Sequence, residues 1–140
     1  MPLILGQIWK LAIYINVSSQ QAESFRASQE DYDLDLKMIQ DVWSHWNSCF
    51  EMLIQANQVH DALEVWINDY NNSTVGNLAL NEQEWNQIWY IISLLKPFAL
   101  WTNIYSISNG CTIHTAWSVY KSLFNYLESE HTKLLWKKLL

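Results

Sequence analysis

Met52, Ala56, Val59, Leu63, Trp66 and Tyr70 recur at steps of 4, 3, 4, 3 and 4. That spacing puts six apolar side chains on one face of a helix, and no strand can sort them in this way. It predicts a helix over about 48–70. Three further stretches read in the same terms. Ile4, Ile8, Leu11 and Ile15 predict a helix from about Leu3 to Val17. Trp85, Ile88, Trp89, Ile92 and Leu95 form the apolar face of another, with Asn81 as its cap and Glu84 at the capping-box position. Ile113, Trp117, Tyr120, Phe124 and Leu127 give the last, which Leu134 to Lys138 extends. Pro97 lies inside the third run and should kink or split it, because it lacks a backbone donor.

The connections are less regular. Ser18 and Ser19 end the first helix and suit the cap of a short polar one, Gln20 to Gln29, anchored by Ala22 and Phe25. Glu30 to Asp35 reads as an acidic solvated loop, without the pattern of a calcium-binding loop. Leu36 to Val42 reads as extended or irregular. Ser48 and Glu51 have capping-box spacing at the start of the central helix. Asn68 to Asn77 reads as a polar loop with Gly76 as breaker. Three glycines and two prolines are too few for the many turns of a β-sandwich. The expected fold is all-α, a bundle of about four to five helices forming a single domain over residues 1–140. Met52, Val59, Leu63, Trp85, Trp89, Ile92, Trp117, Tyr120 and Phe124 are the expected core.

Composition limits the function. Half of the residues are apolar, 16% are charged and nine are tryptophan, so the chain has ample mass to bury and is not of the disordered class. The formal net charge is −6. A stand-alone nucleic-acid binder normally carries a basic face. A piece of a larger nucleic-acid enzyme stays open, since the basic surface can lie elsewhere. Cys49 and Cys111 make no disulfide framework and suit a reducing compartment, nucleus or cytoplasm. Met1 to Val17 lacks the basic start of a signal peptide, and no window is long and apolar enough for a membrane span.

The stretch Asp41-Val42-Trp43-Ser44-His45-Trp46-Asn47-Ser48 resembles the signature of hAT-superfamily transposases, especially fungal ones, D-V-x-T-R-W-N-S-T. The following Glu51 to Leu63 is similar to the helix that succeeds the signature in that family. Lys10 to Asn16 resembles the helix before it. Leu80 to Phe98, with Glu84-Trp85 and Lys96-Pro97-Phe98, and Tyr120 to Glu128 look like two later helices. The resemblance implies a helical domain inserted into an RNase-H-like catalytic core. It implies descent from an enzyme that cuts and joins DNA. It also implies that the chain holds only the part between the second catalytic aspartate and the catalytic glutamate. The catalytic carboxylates, the zinc finger and the dimerisation segment would then lie outside it. One departure matters: His45 and Ser44 stand where the family has arginine and threonine. A guanidinium fork grips phosphate permanently, and a largely neutral imidazole does not.

The remaining chemistry is sparse. Two-metal phosphoryl transfer needs carboxylates converging on ions roughly 3.5–4 Å apart. Asp41, Asp61 and Asp69 read instead as caps and surface charges. Cys111-x-x-His114, with Cys49 and His60, reads as coincidence rather than a metal site, and no nucleophile-elbow pattern is present. No cofactor, metal or catalytic residue is expected. By the resemblance His45, Trp46 and Asn47 are the candidate nucleic-acid contacts. Trp46 has two readings: a ring for stacking on an extruded base, or a core tryptophan closing the start of its helix. The sequence favours the core role, with DNA contact weak at best. The expected function is a transposase-like fragment without catalysis of its own. The alternative is a helical module whose exposed aromatic faces meet a protein partner or a second copy.

Overall fold

The computed structural model describes residues 3–39, 46–69, 73–107 and 113–139. Among them are seven α-helices, one 3-10 turn and no strand: α1 (Leu3–Val17), α2 (Ser19–Ser28), the turn Glu30–Tyr32, α3 (Trp46–Gln58), α4 (His60–Asp69), α5 (Ser73–Gly76), α6 (Glu82–Ile107) and α7 (Ile113–Leu139). The all-α expectation holds. The backbone divides into two compact units, Met1–Ser93 and Leu94–Leu140. The boundary falls inside α6, which runs through Pro97 as one unsplit helix.

The first unit is built on the stripes. Ile4, Ile8, Leu11 and Ile15 of α1 are all buried. So are Met52, Ala56, Val59, Leu63 and Trp66. The single predicted helix is divided at Val59 into α3 and α4. The ladder nevertheless bridges the division: the Val59 amide donates to the Gln55 carbonyl, and the Leu63 amide donates to the Val59 carbonyl. One face therefore continues across both helices. Phe25, Met38, Val75, Trp85 and Ile88 complete the same cluster, with no member more than 7% exposed. Trp66 is its aromatic centre. Phe25 stands edge-on to it at 5.9 Å and Tyr14 at 6.4 Å between ring centroids. Its indole N–H donates to Ser24 Oγ at 3.2 Å, which satisfies the one polar atom of a buried ring.

Several local readings change. Ser18 holds the cap position of α2 in extended backbone, but its side chain makes no capping bond. The acidic loop contains the 3-10 turn, and Asp33 closes it in the left-handed region at φ 54°. Ser48 lies inside α3 rather than before it, so the predicted Ser48–Glu51 capping box does not form. The polar stretch 68–77 includes the short helix α5, and Val75 is buried in the core. The capping box at α6 is as expected: the Glu84 amide donates to Asn81 Oδ1 at 2.9 Å, and the Asn81 amide donates to Glu84 Oε2 at 2.8 Å.

The expected core is right for Met52, Val59, Leu63 and Trp85 and partly right for Ile92, which is half-buried against the cluster. It is wrong for four large residues. Trp89 is 63% exposed on α6, and Trp117, Tyr120 and Phe124 on α7 are 68, 64 and 55% exposed. On α6, Trp85 and Ile88 occupy the inward face of the first turns, and Trp89 lies 100° further round. On α7 the partly covered positions are Val119, Leu123, Tyr126 and Glu130, a different stripe. Tyr126 meets Phe98 edge-on at 6.4 Å.

Candidate nucleic-acid interface

Residues 34–39 form an irregular strap leading towards the signature, and side-chain amides hold it. Gln29, fully buried, donates through Nε2 to the Leu36 carbonyl and accepts from the Leu36 amide at Oε1, both at 2.9 Å. Gln55 of α3 repeats the device one step on. Its Nε2 donates to the Lys37 carbonyl, and its Oε1 accepts from the Ile39 amide. Asn16 of α1 donates to the Met38 carbonyl at 2.9 Å. A primary amide carries a donor and an acceptor side by side, as a neighbouring strand would, so Gln29 and Gln55 stand in for a sheet partner. Met38 then plugs into the core. At the outer edge Arg26 pairs with Asp35. The hydrogen bond to Asp35, and then its charge, hold the Arg26 guanidinium above its ordinary pKa. Beside the strap lies a cavity of about 260 Å³ lined in part by Asn16, Phe25, Gln29 and Met38.

His45 and Asp41 lie outside the described residues. Trp46 is the first residue of α3 and Asn47 the second. Trp46 is 45% exposed and Asn47 is exposed, whereas Phe50, Met52 and Leu53 turn into the core. The expectation that Trp46 is a core residue is therefore corrected. Phe50 and Leu53, one and two turns on, close the start of α3 and leave the indole at the rim.

The electrostatics of the two units differ in sign. Residues 1–93 hold three basic and twelve acidic residues, a net −9, while residues 94–140 hold five lysines and two glutamates, a net +3. The ring of Trp46 thus sits on the acidic unit. A lysine interleaved with open aromatic rings occurs on α7 instead, where Lys121 lies among the exposed Trp117, Tyr120 and Phe124. Sequence reasoning missed this face because it assigned those rings to the core.

Of Asp41, Asp61 and Asp69, the two among the described residues do not converge. Asp61 and Asp69 stand near opposite ends of α4, about 12 Å apart along its axis at 1.5 Å per residue. Among the described residues no group of three or more His, Cys, Asp or Glu could hold a metal ion. His60 is occupied otherwise: it contacts Glu64 at 3.1 Å and Asp61 at 3.6 Å, and its ring packs on Trp85 at 4.0 Å. Cys111 lies outside the described residues, as does the side chain of His114. Among the described residues, no helix is long and apolar enough to cross a membrane.

The first unit is all-helical, sealed by one apolar cluster, with the amide-held strap running along it. Residues 2–94 match the model of the ZBED1 RNase-like helical domain, and the chain belongs to this hAT-related family. The match ends one residue past the end of the first compact unit. A candidate transcriptional regulator, tpeD, of Talaromyces stipitatus is 35% identical over 130 residues. The alignment takes in 93% of this chain and 15% of that protein, so the chain spans a small part of its relative's length. No solved structure matches the chain.

Proposed function

We propose that this chain is a non-catalytic helical module of a transposase-derived nuclear protein, and that it touches DNA through Trp46 at the start of α3. The observation that carries the reading is the half-open indole of Trp46 at the first position of α3, next to Asn47. A ring left at the rim is free to stack on an unpaired base. The description of the Talaromyces relative as a candidate transcriptional regulator favours a regulatory role over strand cutting. The scattered acids argue in the same direction, because metal-assisted phosphoryl transfer needs carboxylates on one site. The contact is weak, since a unit of net −9 repels a polyanion.

Fluorescence anisotropy with a labelled single-stranded oligonucleotide tests this. Trp46→Ala should weaken binding by about 1–3 kcal/mol, the worth of one base–aromatic stack. His45→Arg should strengthen it and steepen its salt dependence. Equal binding by the parent and Trp46→Ala chains would overturn the reading. So would nicking of plasmid DNA in Mg²⁺ or Mn²⁺ that depends on Asp41. The second reading, a module for protein partners, is favoured by the open apolar face of α7.

A further inference from the structure

We propose that α7 pairs antiparallel with α7 of a second copy of this chain, through the stripe Trp117, Tyr120, Phe124, Leu127, His131 and Leu134. The steps are 3, 4, 3, 4 and 3, the seven-residue repeat that keeps one seam facing a partner helix. Every member of the stripe is exposed. Trp117 and Tyr120 lie stacked on one another at 6.1 Å between centroids, a paired aromatic surface without cover. The half-buried face of α7, with Val119, Leu123 and Tyr126, is a separate stripe, so the seam is free while α7 keeps its contact to Phe98.

The sequence of the seam selects both the occupant and the direction. Placed antiparallel with the two-fold axis at the level between Asn125 and Tyr126, the stripe meets itself in register. Phe124 faces Leu127 of the second copy, Tyr120 faces His131, and Trp117 faces Leu134, each contact occurring twice. A large ring always meets a smaller or flatter side chain. Lys121 and Glu128 flank the seam on one side. In this register Lys121 of one copy lies within two residues' rise, about 3 Å, of Glu128 of the other. The axis repeats the pair, as an isologous interface requires. A parallel arrangement sets Lys121 beside Ala116 and Glu128 beside Leu123, and places Trp117 on Trp117. Charge complementarity therefore favours the antiparallel self-pair. A basic groove for nucleic acid would not place Glu128 at the seam's edge.

Sedimentation velocity of the 140-residue chain tests this, with circular dichroism confirming that each variant keeps its helix content. The parent chain should form a dimer. Phe124→Asp, at the centre of the seam, should leave only monomer. Lys121→Glu and Glu128→Lys each turn two attractive pairs into two repulsive ones and should each weaken the dimer about tenfold. An equimolar mixture of those two variants should recover parental affinity, because the mixed dimer restores both opposite-charge pairs. A parent chain that stays monomeric at about 100 µM would overturn the proposal and leave the seam to another part of a longer protein or to nucleic acid. A dimer indifferent to Phe124→Asp, or a mixture that fails to recover, would overturn it as well.

Discussion

The stripe shared by α3 and α4 and the stripe on α7 have the same spacing and comparable bulk, yet one is sealed and the other open. Met52, Ala56, Val59, Leu63 and Trp66 are at most 2% exposed, whereas Trp117, Tyr120 and Phe124 are all more than half exposed. The first stripe lies in a unit where α1, α2, the strap and α6 all contribute buried side chains to one cluster. The second lies on a 27-residue helix whose half-covered residues form a different face. Spacing specifies that a helix has an apolar side. Whether that side is covered depends on what the rest of the chain, or another chain, brings to it.

The contrast should be plainest in stability. Leu63→Ala removes a fully buried side chain and should cost about 2–5 kcal/mol in urea unfolding, the usual range for a core leucine. Trp89→Ala, at a solvated site, should fall within about 0.5 kcal/mol of the parent. If the two variants lose comparable stability, the division between sealed and open faces is mistaken.

The strap tests the contrast in polar terms. Gln29→Ala leaves the Leu36 amide and carbonyl without their partner and should cost about 1–3 kcal/mol, the desolvation penalty of an abandoned buried group. A loss near zero would show that water replaces the amide and that the strap is not sealed. A smaller loss is expected at the exposed helix cap: Asn81→Ala removes one half of the α6 capping box and should lower stability by about 1 kcal/mol. A loss as large as that of Leu63→Ala would mean that the start of α6 holds more of the fold than its exposed cap suggests.

The parts of the fold legible in the sequence are those governed by neighbours a turn apart. The limits of α1, the buried stripe through Val59 and the Asn81–Glu84 box all follow from spacing within a few residues. The misread parts depend on partners distant in sequence. Trp89 and Trp117 look like core residues in any one-dimensional reading, since nothing local records that their helix faces are uncovered. Val75 was hidden inside a polar run. Gln29 and Gln55 gave no signal at all, because an amide that mimics a strand differs in no way from a solvated one until its target is beside it. At the candidate interface, the signature pointed to Trp46 through resemblance, and composition argued for burying it. The composition argument lost because Phe50, Met52 and Leu53 already fill the inward side of α3's first turns.

The amide-held strap has a consequence for the order of folding. Its partners come from three places: Asn16 on α1, Gln29 just after α2, and Gln55 on α3, at separations of 22, 7 and 16 to 18 residues from the groups they bind. None of these bonds is of the helix-forming kind, and two of the three partners reward only a loop closure already made. The strap thus works as a conjunction. Its backbone is fully satisfied only once α1, α2 and α3 have all docked, so the path from Leu34 to Ile39 should be set late, after those helices are in place.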